Sequence, residues 1–70
     1  QNAMVYTLLA YAEAKIGDRE KARRYIYQQL DFANAVNQDS FYQQMAAINE
    51  KEFLDRMYVE LTDLGLPKSK

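Results

Sequence analysis

The sequence predicts an all-α domain of three or four helices, and three observations carry that prediction. Apolar residues recur at intervals of three and four, which is helical spacing. The two glycines, Gly17 and Gly65, and the single proline, Pro67, stand at the ends of such segments and not inside them. Residues suited to capping, Asp18, Ser40 and Asn49, stand ahead of the next periodic run.

The first helix is expected over about 4–16, where Val5, Leu8, Leu9, Ala12 and Ile16 fall within about 100° of one another at 100° per residue. That stripe is the expected buried face. Gly17 can take the left-handed conformation that stops a helix, and Asp18 can cap the N–H groups of the next. A second helix is expected over about 19–36, with Ala22, Ile26, Leu30, Ala33 and Val36 on one face and Tyr25 at its edge. Glu20 in its first turn suits the positive end of the helix dipole. So short a turn makes the two helices a tight antiparallel hairpin.

Asn34, Asn37, Gln38, Asp39 and Ser40 interrupt the pattern, and Ser40 with Gln43 has capping-box spacing ahead of Phe41, Met45 and Ile48. Asn49 and Glu52 repeat that spacing ahead of Phe53, Leu54, Met57, Leu61 and Leu64, and the run closes at Gly65. Between Phe41 and Leu64 the apolar face turns through roughly half a circle. One broken helix or two short ones, about 41–48 and 50–64, is the simpler expectation. An unbroken helix would bury opposite faces on different partners and predicts oligomerisation.

Gln1-Asn2-Ala3 ahead of Met4 reads as the remnant of an expression tag, so a single domain is expected over 4–66 with a flexible tail at 67–70. The near-apolar run from Met4 to Ala12 is too short to span a bilayer and has no basic leader.

Composition narrows the chemistry. The 70 residues include no His, Cys or Trp, which removes an imidazole base, a thiolate nucleophile, a disulfide framework and a Cys/His zinc site. Ser40 and Ser69 have no base partner, no Gly-rich phosphate loop is present, and Glu50, Glu52, Asp55, Glu60 and Asp63 read as a solvated face. No catalytic residue, metal or cofactor is therefore expected. Nine basic residues against ten acidic give a net charge of -1, with no overall field for nucleic acid or an anionic membrane. The lack of cysteine fits a reducing cytoplasm.

The spacing of Tyr6, Leu9-Ala10, Gly17, Ala22 and Ile26 resembles one tetratricopeptide unit over residues 6–34, a helix-turn-helix repeat. The resemblance implies a hairpin that stacks on neighbouring helices. Glu13, Gln29 and Asn34 depart from the pattern, standing where that family usually has an aromatic residue, a small residue and a proline. A 34-residue period from Leu9 reaches Gln43, so the repeat does not propagate.

Two functional readings follow. The leading one is a non-enzymatic, bacterial-type, cytoplasmic protein-protein interaction module, a homo-oligomer or docked on another chain through apolar helix faces. Six Tyr and three Phe exceed what a minimal core needs, and Tyr27, Phe32, Phe41, Tyr42 and Tyr58 are the candidate partner surface. The alternative is a small nucleic-acid-associated regulator that dimerises and uses Arg19, Lys21, Arg23 and Arg24 as an anion-binding group. Gly17 is not the turn of a DNA-reading helix-turn-helix, because that motif would bury Glu13 and Arg23.

Overall fold

A computed structural model describes residues 2–69, and the regular elements among them are all helices: α1 (Ala3–Lys15), α2 (Arg19–Gln29), α3 (Phe41–Gln44) and α4 (Lys51–Leu64). None of these is long and apolar enough to cross a membrane.

The hairpin begins with a cap. The Asn2 side chain accepts the Val5 N–H at 3.0 Å, so Asn2 and Ala3, set aside in the sequence as a tag remnant, start α1. At the other end Gly17 takes φ +98°, and two bonds, Asp18 N–H to the Glu13 carbonyl and Gly17 N–H to the Ala14 carbonyl, close the helix as a Schellman turn. The Asp18 carboxylate then accepts the Lys21 N–H at 3.0 Å and starts α2, as expected. α1 and α2 pack closely side by side.

The packed face of α1 is not the expected one. Of the expected stripe Leu8 is half-buried against the core, whereas Val5, Leu9, Ala12 and Ile16 are exposed, and Ala3, Thr7 and Ala10 are buried in their place, with Ala14 half-buried. At 100° per residue the two stripes lie about 160° apart. The hairpin turn holds the axes close, and the small residues buried on α1, with Ala22 buried on α2, suit that close approach. Thr7 enters this face without an orphaned hydroxyl, because its Oγ1 donates to the Ala3 carbonyl at 2.7 Å. The larger half-buried side chains line the edges. Tyr6 meets Tyr25 and Phe32 edge-on, and Tyr11 meets Phe53.

α2 ends at Gln29, seven residues short of the expected Val36. The Gln29 side chain is wholly buried and pairs both backbone groups of Val36: Nε2 donates to the carbonyl and Oε1 accepts the N–H, each at 2.8 Å. Bonds from residues 30, 31 and 32 back to residues 27, 28 and 29 tighten the chain into turns. Ala33 is therefore exposed, and Val36 reaches the core from a loop and not from a helix.

The stretch after the hairpin forms two helices, which sets aside the unbroken alternative. α3 is a single turn, shorter than the expected 41–48, and neither expected cap forms. Ser40 instead exchanges bonds with Asn37: its N–H donates to Asn37 Oδ1 at 2.8 Å, and its Oγ accepts the Asn37 N–H at 3.1 Å. Glu50, not Asn49, precedes α4, without a side-chain cap bond. Phe41, Met45, Met57, Leu61 and Leu64 complete the core beneath the hairpin.

α4 closes at Gly65, as expected, with φ +117° and the same pair of bonds that ends α1. Leu66 is buried beyond it. Pro67 and Lys68, read as tail residues, are tied to the rest of the chain: their carbonyls accept the Gln38 and Asp39 N–H groups at 2.8 and 3.0 Å. Gln38 Nε2 also donates to the Leu66 carbonyl at 2.8 Å. Gln1 and Lys70 lie outside the described residues.

Candidate interaction surface

Of the five aromatic residues expected at a partner surface, Phe41, Tyr42 and Tyr58 meet one another, and Tyr27 and Phe32 stand in other settings. Phe41 is wholly buried in the core, which removes it from any surface. Phe32 is half-buried against Tyr6, and Tyr58 is half-buried with its ring 5.4 Å from that of Phe41. Only Tyr27 and Tyr42 are exposed, and they belong to separate elements and neighbourhoods. The Tyr27 hydroxyl lies beside Gly65, whereas Tyr42 stacks on Tyr58.

Tyr42 is held in a small polar network. Its hydroxyl donates to Asp55 Oδ1 at 2.6 Å, and Lys51 Nζ lies 2.9 Å from the other carboxylate oxygen. The hydrogen bond to Asp55, helped by desolvation and by the negative charge, pushes the Tyr42 phenol up to about 12. The same bond, with Lys51 second, lowers the Asp55 carboxyl below its ordinary value. Each group stabilises the form of the other that prevails at neutral pH, so the network is a fastening between α3 and α4 and not a proton-transfer pair.

The four basic residues are divided as well. Arg19 reaches across to α4 and donates to Glu60 and Asp63, both at 2.7 Å. The bond to Glu60 above all, and that to Asp63, outweigh desolvation and raise its pKa. Lys21 lies 3.5 Å from Glu13 of α1. Arg23 and Arg24 face solvent. Two of the four positive charges are therefore already matched by carboxylates inside the chain, which leaves little net field for a phosphate backbone.

Among the described residues no three carboxylates converge on a common point that could hold a metal ion. An apolar recess of about 280 Å³ is lined by Leu30, Ala35, Val36, Asn37, Pro67 and Ser69. The Asn37 N–H and Oδ1 are engaged with Ser40, and the rest of the lining is mostly apolar.

What the surface does present is the outer side of α1. Val5 is 39% exposed, Leu9 37% and Ile16 77%, with exposed Ala12 between them. Their spacing of four, three and four is that of the seam of a coiled coil, and it points to solvent. Sequence reasoning found these four residues and assigned them to the core. The signal that would have corrected it is the second stripe, Ala3, Thr7, Ala10 and Ala14, which makes α1 apolar on both sides. A helix with two apolar faces asks for cover on both, and α2, with α4 meeting α1 at Tyr11 through Phe53, leaves the Val5, Leu9, Ala12 and Ile16 side exposed.

Comparison with protein-family models, curated proteins and solved structures finds no match in any of the three.

Proposed function

We propose that this chain is a non-enzymatic protein-protein interaction module that docks a partner on the outer face of α1. The outward seam of Val5, Leu9, Ala12 and Ile16 is the observation that carries this reading. An exposed stripe of this regularity differs from scattered surface apolar residues, because every residue on it can enter one helical groove together. The absence of His and Cys from the sequence supports a binding role over a chemical one, and the lack of cysteine supports a cytoplasmic site of action. The resemblance of residues 6–34 to a tetratricopeptide unit belongs to the same proposal, since such hairpins bury their outer faces on neighbours. Ala10, Ala22 and Ile26 lie inside the hairpin, and Leu9 lies on its outer face.

Site-specific photo-crosslinking in cells tests it. A photoreactive residue placed at Leu9 or Ile16 is expected to yield discrete protein adducts, and one placed at exposed Arg23 or Lys51 is not. Equal labelling at all four positions, or none at Leu9 and Ile16, refutes the docking face.

A further inference from the structure

We infer that the occupant of the α1 seam is a second copy of this chain, paired antiparallel about a twofold axis between Leu9 and Ala12; the inference rests on the docking face proposed above. The seam reads the same in both directions, four-three-four, so it is complementary to itself when one helix is reversed. Reversal about that midpoint sets Val5 of one copy opposite Ile16 of the other, and Leu9 opposite Ala12. The large Leu9 then enters the gap that small Ala12 leaves, twice, by symmetry.

The flanks agree with this arrangement. Lys15 falls beside Leu8 of the other copy and Glu13 beside Tyr6, so no like charges oppose each other. Glu13 already has Lys21 within its own chain. The net charge of -1 adds little repulsion between copies.

Area sets the strength. The helical part of α1 is about 20 Å long, and its seam offers on the order of 400 Å² per copy, about half the ~800 Å² per partner of a standard interface. An interface of that size is weak, so the dimer is expected to be reversible, populated toward about 1 mM and dissociating toward about 10 μM.

Sedimentation equilibrium over that concentration range reads it directly. The weight-average mass of the wild type is expected to rise from the 8.2 kDa of one chain toward twice that value. Leu9→Glu is expected to stay at one chain mass throughout while keeping its helical circular dichroism, since Leu9 is outside the core. Tyr27→Glu, at an exposed aromatic site on α2 beside Gly65, is expected to dimerise like the wild type. The sequence has no cysteine, so orientation is read by disulfide trapping. Val5→Cys and Ile16→Cys chains are expected to crosslink when mixed and oxidised mildly, and neither alone.

A wild type that stays monomeric at about 1 mM overturns the inference, as does loss of dimer in Tyr27→Glu but not in Leu9→Glu. Ready self-crosslinking of Val5→Cys alone overturns the antiparallel arrangement. The mass of the adducts separates this inference from the reading beneath it. Adducts at Leu9 of twice the chain mass support both. Adducts of another mass, with a monomeric wild type, overturn the second copy and leave the docking face standing.

Discussion

Gln29 determines where α2 stops, and replacing it tests that account. Gln29→Met keeps the length and most of the volume of a wholly buried side chain and removes both bonds to Val36. The Val36 N–H and carbonyl then lie buried without partners. Each such group costs about 1–3 kcal/mol, partly offset by the more apolar side chain, which gives a net loss of about 2–4 kcal/mol. A chain of this length has about 4–10 kcal/mol in total, so the loss is a large share of its stability.

Urea unfolding followed by circular dichroism measures that loss as a lower midpoint at unchanged slope, and amide exchange should show Val36 losing protection first. A second variant, Gln29→Glu, keeps the acceptor for the Val36 N–H but turns an anionic oxygen toward the Val36 carbonyl. Burial and that carbonyl raise the folded-state pKa of the introduced carboxyl above its unfolded value. Protonation restores a donor, so the stability contributed by this group is present below the unfolded pKa and lost as pH rises through the folded one. The deficit relative to wild type should therefore shrink toward acid pH. A Gln29→Met midpoint within about 0.5 kcal/mol of wild type would refute the clamp.

Other perturbations separate local causes. Gly17 sits at φ +98° with open space where a Cβ would go, so Gly17→Val meets only backbone strain and should cost about 1–3 kcal/mol. Gly17→Asn should cost less, and equal melting temperatures for Gly17→Val and wild type would contradict the left-handed turn. Spectrophotometric titration should find one phenol ionising near 12, and Asp55→Asn should bring it back toward its ordinary 10.0. The sign follows from the raised pKa: the stabilisation is complete below the unfolded value and disappears as pH rises through the folded one. On the acid side the same bond is lost as pH falls through the lowered pKa of Asp55. A Tyr42 that titrates normally in the wild type would show that the 2.6 Å bond is absent in solution.

The ends of elements were legible wherever a backbone demand has one cheap answer. Gly17 and Gly65 each close a helix, and Asp18 caps the next, because few residues do these things without strain. The reversal of the apolar face after Phe41 was also legible as a break. Caps by Ser40 and Asn49 were not, because Asn37 competes for Ser40 and a capping spacing says nothing of such a rival.

Two errors have a common physical origin. In α1 the periodicity was sound, but it identified an apolar face without saying which of two would be buried. The close approach of α2 selected the small face. In α2 the apolar period ran on to Val36, while one amide side chain offered Val36 the two bonds that a neighbouring strand would offer. Of the aromatic candidates, Phe41 went to the core for want of other bulk, since much of the hairpin face is alanine.

The fastening of residues 38 and 39 to residues 66–68 gives the chain an unusual topology of dependence. The link carries exposed Ala46, Ala47, Asn49 and Glu50 around Ile48, which packs against the core, and it joins two pieces that the fastening also connects. One carries Phe41, Met45 and the Gln38 half of the fastening, and the other carries Met57, Leu61, Leu64 and the Leu66 half. A single proteolytic cut between Ala46 and Ala47 is expected to leave a two-fragment complex that elutes as one species under native conditions. Its effect is to replace an intramolecular closure by a concentration-dependent one, so the nicked protein should come apart on dilution or denaturation.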